Sequence, residues 1–168
     1  MGKDRKQLAL AGILLHGPVV PEFIKFASDG CSIPTGFMRK VLNADQTRAA
    51  CRIHDYSYYL INTCYKLGSK SHRAERQIAD TQLKWNRVLI GKNWITGQVF
   101  GRLYYTGVRL GGARAMRKKH GRLICPPSLA ALDLVRQACV ERCKPNPLTP
   151  HAKKTLKGWE EKIKEESK

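Results

Sequence analysis

At 168 residues and 42% hydrophobic content, the chain is long enough for one packed domain and a tail. Its formal net charge of +18, from 31 Lys+Arg against 13 Asp+Glu, favours an anionic partner: nucleic acid, an anionic membrane surface or an acidic protein. No apolar run approaches the roughly 20 residues that a spanning helix needs, which argues against a transmembrane segment. No C-x-x-C pair occurs, which argues against a zinc ribbon or a thioredoxin-type redox motif. The six cysteines, Cys31, Cys51, Cys64, Cys125, Cys139 and Cys143, are an even number in a small basic protein and hint at disulfides. Buried free thiols in a reducing compartment are the alternative.

In chain order, Lys3-Asp4-Arg5-Lys6 followed by Leu8–Leu15 has the layout of a signal peptide. Its apolar part is short, and His16-Gly17-Pro18 stands where small residues would mark cleavage. Phe23, Ile24 and Phe26 form an apolar cluster after Pro18 and Pro21. Ser28–Gly36 is a loop by composition, with Gly30 and Gly36 open to backbone conformations closed to other residues. Asn43 to about Lys66 predicts a helix with Ala49, Ile53, Tyr56 and Leu60 on its buried face and Gly68 just past its end. Ser71 to about Ile90 predicts a second, capped by Ser71, stopped at Gly91 and carrying an apolar stripe of Ile78, Trp85, Val88 and Leu89. Asp80 is the one carboxylate in its middle, four residues from Lys84.

Trp94 to Leu110 predicts a third helix, on which Ile95, Val99, Leu103 and Leu110 keep the period. Gly97 and Gly101 on it allow close helix packing. A basic connector, 113–122, leads past Pro126-Pro127 to a fourth helix from Ser128 to about Cys143, with Leu129, Leu132, Val135 and Cys139 on one face. Pro145, Pro147 and Pro150 form a linker. The tail carries Leu156, Trp159 and Ile163 in a basic amphipathic frame: an interfacial helix, a partner-binding helix or a disordered segment. The expected fold class is mostly α.

The chemistry concentrates in Cys51-Arg52-Ile53-His54-Asp55-Tyr56-Ser57-Tyr58. On a helix His54 and Asp55 point about 100° apart, so the histidine can face a cleft while the aspartate faces an adjoining loop. Cys51 shares a face with Asp55, and His54 with Tyr58. That geometry suits a general base beside a metal-held electrophile. Backbone carbonyls from the Gly30–Gly36 loop plus one carboxylate are the hard oxygen ligands that Ca²⁺ takes.

Cys51-x-x-His54-Asp55-x-x-Tyr58, preceded by Gly30-Cys31 and followed by Asp80, resembles the secreted phospholipase A2 superfamily. It is similar both to the animal secreted enzymes and to the reduced phospholipase A2 domains of some viral capsid proteins. The resemblance covers about residues 24–90. It implies two antiparallel catalytic helices with a calcium-binding loop, and further helices after them. It implies His54 as the base, Asp80 as the carboxylate that orients it, and Tyr58 as support for Asp80. It implies Ca²⁺ held by Asp55 and by loop oxygens here placed at Gly30 and Ser32, and a Cys31–Cys51 disulfide joining loop to helix. The loop reads Gly30-Cys31-Ser32-Ile33-Pro34 where that family is rich in x-C-G-x-G.

A second pattern reaches further along the chain: Asp29-Gly30-x-Ser32-Ile33-Pro34, His54-Asp55-x-x-Tyr58, Ala79-Asp80, and Tyr105-x-Gly107-Val108-Arg109-Leu110-x-Gly112. It looks like a family of uncharacterised bacteriophage proteins. The implied organisation is a phospholipase A2-like domain over 1–112, a basic connector and helix over 113–145, and a basic tail over 146–168. The implied function is calcium-dependent hydrolysis of the sn-2 ester of glycerophospholipids at an anionic membrane surface, by a protein of the virion or a secreted protein. Capsid or other virion proteins and, through the tail, nucleic acid are further expected partners. The alternative is a basic virion structural or nucleic-acid-binding protein that performs no catalysis.

Overall fold

The structure is a computed structural model and describes residues 44–91, 93–115, 128–142 and 148–168. The chain is mostly α: α1 (Ala44–Cys64), α2 (Lys70–Ile90), α3 (Trp94–Ala115), α4 (Leu129–Arg142) and α5 (Pro150–Glu166) follow one another, and no strand occurs among the described residues. Residues 1–43, with the apolar N-terminal segment, Asn43 and the loop, lie outside the described residues. So do 116–127, most of the basic connector, and Cys125 and Cys143.

α1 is the centre of the molecule. From Tyr56 to Ile61 every residue is buried, as expected of a helix enclosed on several sides rather than amphipathic. One side of it packs on α4 and α5, where Tyr56, Tyr59, Leu60 and Cys64 meet Leu132, Val135, Cys139, Leu156 and Trp159. Tyr59 stacks on Trp159 with ring centroids 5.7 Å apart. The amphipathic frame after Pro150 is therefore part of the core: Trp159 is 1% exposed. Thr149 caps α5 by accepting from the Ala152 N–H at 3.1 Å, and its hydroxyl also donates to the Cys64 carbonyl, which ties α5 to the end of α1.

The other side of α1 faces α2. Gly68 at φ 79° closes the short connection, a left-handed conformation that costs a residue with Cβ about 1 kcal/mol or more. The cap of α2 is Ser69, whose side chain accepts from the His72 N–H, not Ser71 as the sequence pattern suggests. Side-chain contacts run His54–Asp80, Tyr58–Arg76 and Asn62–His72, each step of one turn along α1 matched by one turn backwards along α2. The two helices are thus antiparallel.

α3 turns back along α2 on a glycine face. A Cβ on Gly97 would lie 2.6 Å from the Val88 carbonyl oxygen, and one on Gly101 2.9 Å from that of Lys84. Close backbone approach is what these two glycines provide. Arg87 is buried beneath α3, its guanidinium 4.7 Å from the Tyr104 ring centroid and 5.8 Å from that of Phe100, a cation–π seat for a charge removed from water.

The α2 stripe expected to be buried is mostly exposed. Ile78, Trp85 and Leu89 on α2 are exposed while Val88 is buried, and Ala49 on α1 and Leu129 on α4 are also exposed. The buried positions of α2 go instead to His72, Ala79, Asp80, Leu83, Asn86 and Arg87, because α1 and α3 occupy its polar sides.

Candidate active site

The antiparallel register of α1 and α2 carries His54 to Asp80. His54 Nε2 lies 2.9 Å from Asp80 Oδ1, with His54 6% exposed and Asp80 fully buried. The Tyr58 hydroxyl donates to the same carboxylate oxygen. Its ring lies against the imidazole with centroids 4.1 Å apart, one helical turn separating the two residues.

Two arginines complete the shell. Arg109 of α3 donates from Nη1 to Asp80 Oδ2 at 3.1 Å. Arg76, one turn before Asp80, holds Nε 3.7 Å from Oδ2 and donates to the Tyr58 hydroxyl oxygen at 3.3 Å. Arg76 Nη2 donates to the carbonyls of Val108 and Arg109, each at 2.9 Å, and so fastens α3 over the pair. Gly112 admits this arrangement: a Cβ there would stand 2.8 Å from the Tyr58 hydroxyl and 3.2 Å from Arg76 Nη2.

The electrostatics follow from this census. Burial alone pushes the Asp80 carboxyl up, but the hydrogen bonds from His54 and Tyr58, the histidine's charge and the Arg109 hydrogen bond outweigh it, and Asp80 sits below the usual carboxylate range. An ionised carboxylate only accepts, so the hydrogen between the pair belongs to His54 Nε2, and when the imidazole is neutral its lone pair is on Nδ1. Burial pulls the imidazole down, the Asp55 and Asp80 carboxylates push it up, and the second effect wins. Burial, then the Asp80 charge, raises the Tyr58 phenol well above its ordinary value, so it remains a donor.

Nδ1 faces the other aspartate. Asp55 Oδ1 lies 3.8 Å from it, beyond direct hydrogen-bond range, and Asp55 is 14% exposed. Among the described residues no group of three or more His, Cys, Asp or Glu stands together as a metal site. Cys51, one turn before Asp55, is buried and disulfide-bonded. Gly30, Ser32 and Cys31 lie outside the described residues too. A surface cavity of about 360 Å³ on the outward side of α2, lined by residues such as Gln77, Ile78 and Trp85, contains none of the candidate residues.

No protein-family model, curated protein or solved structure matches this chain. The site is therefore read from its own geometry. His54, Tyr58, Asp80 and, at its edge, Asp55 are brought together. Arg76, Arg109 and Gly112 are the members that reasoning about H-D-x-x-Y passes over. Arg76 was findable as the residue four before Asp80, although the pattern pointed to Lys84, whose ammonium instead lies 5.1 Å from the Trp85 ring centroid. Arg109 and Gly112 both belong to the Tyr105–Gly112 pattern, so the two sequence patterns converge on one cluster in space.

Proposed function

We propose that the chain is a calcium-dependent phospholipase A2 that hydrolyses the sn-2 ester of glycerophospholipids at an anionic membrane surface. The observation that carries this reading is the buried His54–Asp80 pair at 2.9 Å with Nδ1 turned toward Asp55. A general base needs a lone pair aimed at its proton donor, and an orienting carboxylate behind it. Here Asp80 fixes the tautomer from the Nε2 side and offsets the charge of the imidazolium. Tyr58, Arg76 and Arg109 keep Asp80 ionised and immobile. A water seated against Nδ1 loses its proton to His54 as it attacks the ester carbonyl.

Asp55 supplies a hard carboxylate oxygen on the side where the substrate would lie, which suits Ca²⁺ in kind. The remaining ligands would come from Gly30 and Ser32 in the loop. When bound there, the ion supplies electrostatic stabilisation of the ester oxyanion and a seat for the lipid phosphate. The net charge of +18 supports an anionic surface as the place of action, in a virion-borne or secreted protein that capsid partners could carry.

One observation favours a second reading. Asp80 is fully buried and already matched by two guanidinium groups and a phenol. Such a cluster can hold three helices together without chemistry. The chain would then be a basic virion structural or nucleic-acid-binding protein. Fatty-acid release from anionic vesicles decides between the two. Release that requires Ca²⁺, stops with chelator and is abolished in His54→Gln establishes the enzyme. A folded protein inactive under every condition leaves the structural reading.

A further inference from the structure

α3 has two opposite faces. Its glycine face lies on the α2 backbone, with Gly97 against Val88 and Gly101 against Lys84. At about 100° per residue, Ile95, Val99, Leu103 and Leu110 project to the other side. Their exposures are 74%, 51%, 54% and 80%, so a regular apolar stripe runs the length of the helix in contact with solvent. Scattered exposed apolar residues are ordinary, but four in one helical register are not.

The charge on α3 has one sign. From Thr81 to Leu132 the sequence contains no Asp or Glu. Arg102 is exposed beside the stripe, and Arg109 is 36% exposed at its edge.

We propose that the outward face of α3 is the surface on which the protein seats on an anionic lipid bilayer. Taking lipid as the partner rests on the phospholipase reading. The face itself rests on three observations: the apolar stripe, the arginines at its margin and the lack of any Asp or Glu on α3 itself. Apolar side chains at helical spacing with arginines at their margin enter the headgroup boundary while the cations meet lipid phosphates. A second copy fits less well, because a two-fold α3–α3 contact would bring Arg102 near its own counterpart with no carboxylate on the helix to offset it. A nucleic-acid backbone would use the arginines and leave the leucines unsatisfied. Among the described residues no helix is long and apolar enough to cross a membrane, so α3 would lie on the bilayer. The helix that bears the face also bears Arg109, bonded to Asp80, so docking and the candidate site share one element.

The test is co-sedimentation of the full chain with phosphatidylglycerol/phosphatidylcholine vesicles, alongside hydrolysis of a short-chain phospholipid below its micelle concentration. Leu103→Asp should weaken vesicle binding about tenfold or more, and Leu110→Ser, at the most exposed position, should weaken it by several-fold. Arg102→Gln should weaken it about fivefold at low salt. All three should hydrolyse the dispersed lipid like the wild type. Vesicle binding unchanged in Leu103→Asp and Leu110→Ser, with helicity retained, overturns the face even if hydrolysis proceeds. Binding that depends on these residues in a protein that hydrolyses neither lipid keeps the face and removes the phospholipase. A wild type that ignores vesicles overturns the proposal. In that case, Leu103→Asp splitting a dimer in sedimentation equilibrium would assign the stripe to a second copy, and salt-sensitive retention of an RNA oligonucleotide would assign the border to nucleic acid.

Discussion

The two sides of α1 solve opposite problems. Toward α4 and α5 it presents Tyr59, Leu60 and Cys64 to Leu156 and Trp159, an apolar seam in which hydrophobic burial acts without regard to direction. Toward α2 and α3 it presents His54 and Tyr58 to Asp80, Arg76 and Arg109, an ionic seam that works only while every donor meets its acceptor. The first seam supplies stability. The second is a weak source of it, because the buried Asp80 and the largely buried Arg76 roughly cancel their attraction against lost hydration, and Arg109, 36% exposed, adds a partly screened pair. A costly buried cluster with the second histidine nitrogen turned toward a partly exposed aspartate is where chemistry should be sought.

Exchanging the damage between the two seams breaks the comparison most sharply. Trp159→Ala empties the middle of the apolar seam and should cost about 3–5 kcal/mol in urea denaturation, with the kcat of the remaining folded protein unchanged. Asp80→Ala should cost about 3 kcal/mol, since it leaves the buried Tyr58 hydroxyl and Arg76 Nε without their acceptor, while Arg109, 36% exposed, can turn to water. Asp80→Asn keeps the shape and should spare much of that stability, while fatty-acid release falls by about 10⁴, the scale seen when an orienting carboxylate is neutralised. If Trp159→Ala and Asp80→Asn lowered activity alike at temperatures where both are folded, the division of labour would be wrong.

The glycine contacts of α3 offer a finer cut. Gly97→Ala sets a methyl 2.6 Å from the Val88 carbonyl, a backbone atom that cannot swing aside, and should destabilise by about 1–3 kcal/mol while drawing Arg109 from Asp80. Gly107→Ala meets nothing within 4 Å and should be neutral or stabilising by up to ~1 kcal/mol. Thermal melts of the pair, read beside their activity, separate helix propensity from docking. Equal melting temperatures would show that α3 is not held by its glycine face.

How much of this was legible follows the same division. The helices, the stops at Gly68 and Gly91 and the apolar face of Leu132, Val135 and Cys139 were open to periodicity, which reports local geometry. Periodicity does not report which side of a helix finds a neighbour. Ile78, Trp85 and Leu89 look like a core stripe but face outward, because the sides of α2 toward α1 and α3 hold Asp80 and Arg87. Trp159 could not be placed for the converse reason: a basic amphipathic helix reads alike whether a membrane, a partner or its own α1 covers it. The His54–Asp80 approach was anticipated from resemblance. The partnership of Asp80 with Arg109 joins residues from two helices, and no spacing rule encodes that contact.

The smallest expected effect lies where the two seams meet, at the end of α1. His72 is 3% exposed; its Nε2 lies 3.0 Å from Asn62 Oδ1, and His151 of α5 reaches the Asn62 carbonyl at 3.3 Å. Burial, then the charges of Arg76 and His151, holds the His72 pKa below the ordinary 6.5. A histidine whose folded value is depressed resists the proton that the unfolded chain accepts, so it removes stability as pH falls below about 6.5, until its folded value is passed. Asp80 adds a separate loss at lower pH: its depressed value makes it stabilising above about 3.9, and that contribution fades as pH drops further. His54, raised rather than lowered, works against His72 in the upper window, so the pH profile alone does not assign it. His72→Gln does. The variant keeps a donor for Asn62 and should flatten the loss of urea midpoint between about pH 7 and pH 5, with the lower step intact. An unchanged upper slope would show that His72 is not the source of the acid sensitivity in that window.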